Sequence, residues 1–306
     1  MLNEGAEYMP IAAEEFTFVS SADGLTIYAY HWPAVGTAKG AVLIAHGLAE
    51  YGMRYDRFAQ ALTLAGYEAY AIDHRGHSQS IDAQGLGTFG KGGWLGLCQD
   101  LRTLLSIVRN EHPGLKTILF GHSMGSFAAQ RLCLDHSDEM DGVILSGSSS
   151  VDVMSAALAE AENAEDGGGD VDLSAFNTAF EPARTPFDWL SRDEAEVDKY
   201  IENSLCGFDL QAESAATLFD SGTYHGEDSA IANIRNDLPV LMVAGDADPI
   251  NGKLELLNLL EARWRAGGVS NIQTAYYKEG RHEMLNEVNR GEVTSDIIAW
   301  LTEVVG

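Results

Sequence analysis

Ser123 lies at the centre of Gly121-His122-Ser123-Met124-Gly125, between the apolar run Thr117-Ile118-Leu119-Phe120 and the helical pattern Ser126 to Leu134. A G-x-S-x-G segment placed after a strand and before a helix holds its serine on a sharp turn, with the hydroxyl exposed. The small residues Gly121 and Gly125 let that turn pass close to its neighbours. A phosphate-cradling loop, the other chemistry of a Gly-rich helix start, would need a lysine that this segment lacks. Nucleophilic attack by Ser123 is therefore the reading.

A serine hydroxyl is a poor nucleophile near neutral pH, so a base must take its proton and a carboxylate must orient the base. On a turn of this kind the acid and then the base follow the serine along the chain. Of nine histidines only His136, His225 and His282 come after Ser123. His136 falls in the tail of the adjoining helix and His225 in an irregular insertion, whereas His282 follows the apolar run Ile272 to Tyr277, which makes it the expected base. Val243-Ala244-Gly245-Asp246-Ala247-Asp248-Pro249 offers two acids at the end of an earlier strand. Asp248, three past the glycine, is the choice for reaching His282. Asp246 suits a loop cap, and Asp237 precedes the strand, at its wrong end.

The oxyanion formed on attack needs two amide donors, each worth about 3 kcal/mol in the transition state. The Met124 amide, at the amino end of the helix, is one candidate. The Leu48 amide, in His46-Gly47-Leu48 after the run Val42 to Ala45, is the other, with His46 holding that loop in shape.

These residues need a sheet that brings strand ends together. Glu15 to Val19 and Leu25 to Tyr30 alternate apolar and polar side chains across Ala22-Asp23-Gly24, predicting an antiparallel hairpin with one solvated face. Ala41 to Ala45, Tyr67 to Ile72, Thr117 to Phe120, Val143 to Leu145 and Val240 to Val243 are short continuous apolar runs, suited to parallel strands covered on both faces. Helical patterns at Leu97 to Arg109, Ser126 to Leu134, Leu254 to Trp264 and Val293 to Val305 alternate with them. The predicted fold is α/β, a mostly parallel doubly wound sheet with an antiparallel N-terminal hairpin.

The alternation breaks between Ser150 and Arg235, so the core is assigned to residues 1–149 and 236–306 and an inserted helical lid to 150–235. This insertion carries the acidic, Gly-rich loop Glu165-Asp166-Gly167-Gly168-Gly169-Asp170. Its Phe176, Phe180, Phe187, Trp189 and Leu190 either touch an acyl chain or form the lid's own core; Phe176, Phe180 and Trp189 are the candidates for substrate contact.

With those residues in place, the chain resembles the monoacylglycerol lipase and lysophospholipase branch of the α/β-hydrolases. The resemblance rests on His46-Gly47-Leu48-Ala49-Glu50-Tyr51-Gly52-Met53-Arg54-Tyr55, on Asp73-His74-Arg75-Gly76-His77-Ser78, on the elbow, and on Gly280-Arg281-His282-Glu283-Met284-Leu285-Asn286-Glu287. Leu190-Ser191-Arg192-Asp193 and Asp198-Lys199-Tyr200 resemble that branch's lid helices. The match spans roughly Phe16 to Trp300, and Tyr51 stands where the branch usually has histidine. It implies hydrolysis of carboxylic esters with medium or long acyl chains, releasing glycerol, a lysolipid head group or another alcohol. An aminopeptidase of the same fold is the alternative, with the lid acids Glu160, Glu162, Glu165, Asp166 and Asp170 as a pocket for an ammonium. A ligand receptor that has kept the fold without turnover is a third reading, which the intact Ser123, Asp248 and His282 disfavour.

Composition narrows the partners. Among 306 residues, 46 acidic against 19 basic side chains leave 27 net negative charges, which repel phosphate backbones and exclude nucleic acid as a partner. The same balance fits a salt-adapted source. Glu4, Glu7, Glu14 and Glu15, with no Lys or Arg in the first twenty residues, do not resemble a secretory signal. No apolar run reaches the roughly 18 residues of a membrane span. The expectation is a cytoplasmic protein in at most transient contact with lipid. Cys98, Cys133 and Cys206 read as buried thiols. Gly85-Leu86-Gly87-Thr88-Phe89-Gly90 follows a loop, not a strand, and reads as a surface loop, not a dinucleotide site. Asp73, His74 and His77 read as a turn held by hydrogen bonds and not as metal ligands. No cofactor or metal is expected.

Overall fold

The structure, a computed structural model, describes residues 10–164 and 173–306. The loop Glu165 to Asp170, the acids Glu4 and Glu7, and the side chains of Glu160 and Glu162 lie outside the described residues.

The strands are β1 (Glu14–Val19), β2 (Thr26–Trp32), β3 (Gly40–Ala45), β4 (Tyr67–Ile72), β5 (Thr117–His122), β6 (Gly142–Ser146), β7 (Val240–Gly245) and β8 (Ile272–Tyr277). They form one sheet in the order β1-β2-β4-β3-β5-β6-β7-β8. β1 pairs antiparallel with β2, and β2 antiparallel with β4; every other pairing is parallel. The hairpin is thus one edge of a continuous mixed sheet. On β1, Phe16 and Phe18 are half-buried and their neighbours exposed, the alternation expected of a strand with one wet face.

The helices are α1 (Asp56–Leu64), α2 (Gly93–Glu111), α3 (Met124–His136), α4 (Val151–Ala164), α5 (Glu194–Glu202), α6 (Ala212–His225), α7 (Asp228–Ile231), α8 (Glu255–Ala266) and α9 (Arg290–Val305). Successive side chains of a strand point to opposite faces, and β3 shows where each face packs. Ala41, Leu43 and Ala45 join a core with Leu101 of α2, Ala128 of α3 and Leu260 of α8. Val42 and Ile44 join a second core with Phe58 and Leu62 of α1 and Ile297 of α9. Both faces of the parallel strands are covered, which is why they read as unbroken apolar runs.

Residues 147–239 separate β6 from β7 and contain α4 to α7 with 3-10 turns at Leu173–Phe180 and Asp188–Leu190. Leu190, Tyr200 and Leu218 of this stretch belong to the same buried cluster as Leu43 and Leu145 of the sheet. The helix α1 has no counterpart among the helical patterns read from sequence. Among the described residues no helix is long and apolar enough to cross a membrane.

Candidate active site

The order of the parallel strands reverses between β3 and β5, where β4 lies on one side of β3 and β5 on the other. Such a switch point opens a crevice beyond the carboxyl ends of the strands. Ser123 emerges there, directly after β5. Its φ of 50° and ψ of −122° lie outside the regions open to ordinary L residues. This strain is held in place by the Ser123 amide, which donates to the Ser146 carbonyl at 2.9 Å, and by the absence of two side chains. A Cβ on Gly121 would sit 2.5 Å from the Gly125 carbonyl oxygen, and one on Gly125 would collide with the Ala45 carbonyl. The glycines permit the crossing of α3 over β5 and β3.

His282 and Asp248 follow β8 and β7, adjacent strands of the sheet. His282 Nδ1 is 3.0 Å from Asp248 Oδ2, and both residues are buried. Asp248 is fixed in turn by the Ile250 amide at 2.9 Å and by Asn251 Nδ2 at 3.3 Å. Burial pulls the His282 pKa down, but the charge and hydrogen bond of Asp248 outweigh it and hold the pKa above the ordinary 6.5. Asp246 instead accepts from the Glu279 amide at 2.6 Å, closing the loop as its position suggests, and Asp237 pairs with Arg235 at 2.9 Å.

One pocket holds Ser123, His282, Leu48 and Met124 together. Its empty space, counted together with the part open to solvent, is about 670 Å³. Its far walls are apolar: Phe127 and Ile250 from the core, and Met154, Phe176, Trp189, Leu210 and Leu218 from the insertion. The Trp189 ring lies 5.0 Å from the His282 ring and 5.3 Å from that of Phe176. Phe180 is the exception among the expected contacts. It does not line this pocket, because its ring is turned under the Arg281 guanidinium at 4.4 Å, outside the cleft.

The segment quoted for the oxyanion loop contains more than its amides. Glu50 accepts from the Gly47 amide at 2.5 Å and from the Tyr55 hydroxyl at 2.9 Å. Arg54 donates to Glu50 at 2.5 Å and to both oxygens of Glu283 at 2.8 and 2.9 Å. This buried bridge fastens the loop carrying Leu48 to the residue next to His282. Burial alone would raise the Glu283 carboxyl's pKa, but the Arg54 guanidinium holds it well below the usual range. Sequence reasoning assigned these residues no role. The signal was Glu50 and Arg54 four apart, an ion-pair spacing on a helical turn; Glu283 is contributed from 229 residues away.

His46 behaves as a shape-holding residue: Nδ1 contacts the Gly47 carbonyl at 2.7 Å and Nε2 accepts from the His74 amide at 3.0 Å. His77 Nε2 accepts from the Ala49 amide at 3.2 Å, and Asp73 accepts from the Gly52 amide at 2.7 Å and the Tyr30 hydroxyl at 2.9 Å. The turn is thus held by hydrogen bonds that Asp73 and His77 accept. The His74 ring departs from that expectation, since neither of its nitrogens has a partner among the described residues. Cys98 and Cys133 are buried, whereas Cys206 is half-buried; all three are free. Gly85 to Gly90 lies in the loop between β4 and α2, with Gly85, Gly87 and Gly90 at positive φ.

The insertion is tied to both catalytic loops. The Glu283 amide donates to the Leu190 carbonyl at 2.8 Å, the Gly207 amide to the Ala49 carbonyl at 3.0 Å, and Asn203 Nδ2 to the Tyr51 hydroxyl at 2.7 Å. Asp193, at the end of one segment with lid-like sequence, caps α5 by accepting from the Ala195 amide.

The family model for serine aminopeptidase, S33, matches residues 36–289. The chain is 28% identical over 284 residues to the monoacylglycerol lipase of Mycolicibacterium smegmatis, covering 88% of this chain and 90% of that one. It is 25% identical over 297 residues to the monoglyceride lipase of Homo sapiens, covering 94% and 89%. In three dimensions it matches a thermostable carboxyl esterase from Bacillus coagulans in complex with glycerol, with a TM-score of 0.85, 25% identity, and 97% and 100% coverage. A match across most of the chain, on a sheet of this order, shows that the chain belongs to the serine aminopeptidase S33 family of α/β-hydrolases, on its monoacylglycerol-lipase-like side.

Proposed function

We propose that the protein is a carboxylic ester hydrolase that works through an acyl-Ser123 intermediate on esters with an apolar acyl chain, of the monoacylglycerol or lysolipid kind. The observation that carries this reading is the character of the pocket. Beyond the Ser123 end its walls are hydrocarbon, and the acids lining it among the described residues, Glu50 and Glu283, are both bound to Arg54. Neither carboxylate is free to receive an ammonium, so among the described residues the peptidase suggested by the family's description finds no anionic subsite there. The lipase and esterase relatives support the same reading.

His282, with Nδ1 held by Asp248, takes the Ser123 proton as the hydroxyl oxygen attacks the ester carbonyl. The carbonyl oxygen becomes an oxyanion that accepts from the Leu48 and Met124 amides. Met124 opens α3, so its N–H has no intrahelical acceptor and stands at the positive end of the helix. His282 then protonates the leaving alkoxide. In the second half-reaction it deprotonates water, which attacks the acyl-serine and releases the acid. Phe176 and Trp189 line the acyl chain's path, and residues 150–235 act as a lid over the strand ends.

The test is a panel of p-nitrophenyl esters of increasing chain length, beside monoacylglycerol, a lysophospholipid and aminoacyl-anilides. Preference for acyl esters is expected, with Ser123→Ala abolishing both turnover and fluorophosphonate labelling. Anilide cleavage exceeding ester cleavage would replace this reading with the peptidase, and ester binding without burst or turnover would replace it with a receptor.

A further inference from the structure

Far from Ser123, three side chains from distant parts of the chain converge on the outer part of the sheet. His31 lies near the end of β2, Glu68 is the second residue of β4, and His112 caps the carboxyl end of α2. One ligand atom from each lies within 4.8 Å of the other two. We propose that His31, Glu68 and His112 form a binding site for one borderline divalent cation of the zinc, cobalt or nickel type, which staples the edge hairpin, the sheet and α2 together.

Two imidazoles and one carboxylate are a donor set that zinc accepts, with water completing the coordination. Magnesium and calcium instead take oxygen ligands, so the histidines select against them. His31 Nε2 and Glu68 Oε2 are already 2.8 Å apart. Zinc bonds of about 2.0 to 2.1 Å in tetrahedral array place ligand atoms about 3.3 Å apart. That pair therefore opens by about 0.5 Å and the other separations close by at most about 1.5 Å, both within reach of side-chain rotation.

The surroundings orient the donors. The His31 ring stacks on Tyr70 at 4.2 Å, nearly parallel at 8°. The Tyr70 hydroxyl is 2.7 Å from His112 Nε2 and donates to Glu111 at 2.8 Å. Glu14 Oε2 is 4.0 Å from His31 Nδ1. The Tyr70 hydroxyl thus holds Nε2 of His112, the kind of outer partner that orients a metal-ligating imidazole. An imidazole ligates only in its neutral form, so protons compete with the metal and affinity falls as the pH drops.

Glu68 pairs with Ala41 at the start of the parallel strands, whereas Ser123 follows their carboxyl ends. The site is therefore at the opposite end of the sheet from the catalytic chemistry, and its effect is on stability.

Chelator-dialysed protein is titrated with zinc by calorimetry and thermal melting, and with cobalt by visible absorption. Expected are one zinc per chain, a rise in Tm with zinc, and cobalt bands of a low-coordinate nitrogen and oxygen site. His112→Gln, at a helix end, should lose affinity by about tenfold or more while keeping ester turnover; His31→Gln should do the same. The proposal is overturned if zinc at about 100 µM shows no saturable binding or Tm shift. It is equally overturned if affinity is unchanged in His112→Gln, or if calcium and magnesium shift Tm as zinc does, which would mark general attraction to an acidic surface.

Discussion

Acid should unfold this protein at an unusually mild pH, and three histidines are the main reason. His46, His74 and His77 are fully buried beneath the oxyanion loop, with His46 ring centroids 4.5 Å from His74 and 5.0 Å from His77. Burial drives their pKa values down from the ordinary 6.5, to about 3 for His46 and His77 and well below 6.5 for His74, whose two histidine neighbours add to the effect. The sign follows from linkage. A histidine whose folded pKa is depressed takes up a proton more readily in the unfolded chain, so its stability is fully present above pH 6.5 and is lost as pH falls toward the folded pKa. Each such group costs about 1.4 kcal/mol per pH unit below 6.5, so the three together cost about 4 kcal/mol at pH 5.5 and about 6 kcal/mol at pH 5.0. Domain stabilities are only about 5 to 15 kcal/mol. His122 and His225, also buried with lowered pKa values, act in the same direction. Urea unfolding followed by tryptophan fluorescence at pH 7.5, 6.5, 5.5 and 5.0 measures the slope. His74→Phe fills similar space and removes two unpartnered ring nitrogens. It should fold, match or exceed the parent's stability at pH 7.5, and reduce the acid slope by about one proton, or about 1.4 kcal/mol per pH unit. A parent slope under one proton between pH 6.5 and 5.5, or an unchanged slope in His74→Phe, would refute the reasoning.

Because Asp248 holds the His282 pKa above 6.5, kcat/KM should fall on the acid side with an apparent pKa above 6.5, before unfolding begins; Asp248→Asn should move that limb downward and reduce kcat severely, read from a pH–rate profile. Arg54→Met leaves Glu50 and Glu283 as buried, unpaired carboxylates and should cost about 3 to 5 kcal/mol by chemical denaturation; a loss below about 1 kcal/mol would show that the bridge is not structural. Phe176→Ala should shift the preferred acyl length, whereas Phe180→Ala should leave the chain-length profile alone, since only Phe176 lines the pocket. Gly125→Ala should yield little soluble protein, because its Cβ meets the Ala45 backbone and not a movable side chain.

Local patterns account for what was legible in the sequence. The runs Ala41 to Ala45 and Tyr67 to Ile72 announced strands covered on both faces, and Ser123 stood out because the elbow's strain demands glycine on either side. Chain order then selected His282 and favoured Asp248, and the structure brings these two within 3.0 Å. The helix α1 was equally legible, since Phe58, Ala59 and Leu62 fall on one buried face and Gly66 ends it at positive φ, yet it is absent from the helical patterns named above.

By itself, then, the sequence determined the elements and the order of the reacting groups, since both follow from short-range periodicity and from turn chemistry within a few residues. Only the tertiary structure decided which distant side chains meet. Glu283 reaches Arg54 across 229 residues, Glu68 reaches His31 across 37, and Phe180 turns away under Arg281 although it is as apolar as Phe176. Local preference scarcely constrains such encounters, which are set by how the insertion and the strand ends pack in three dimensions.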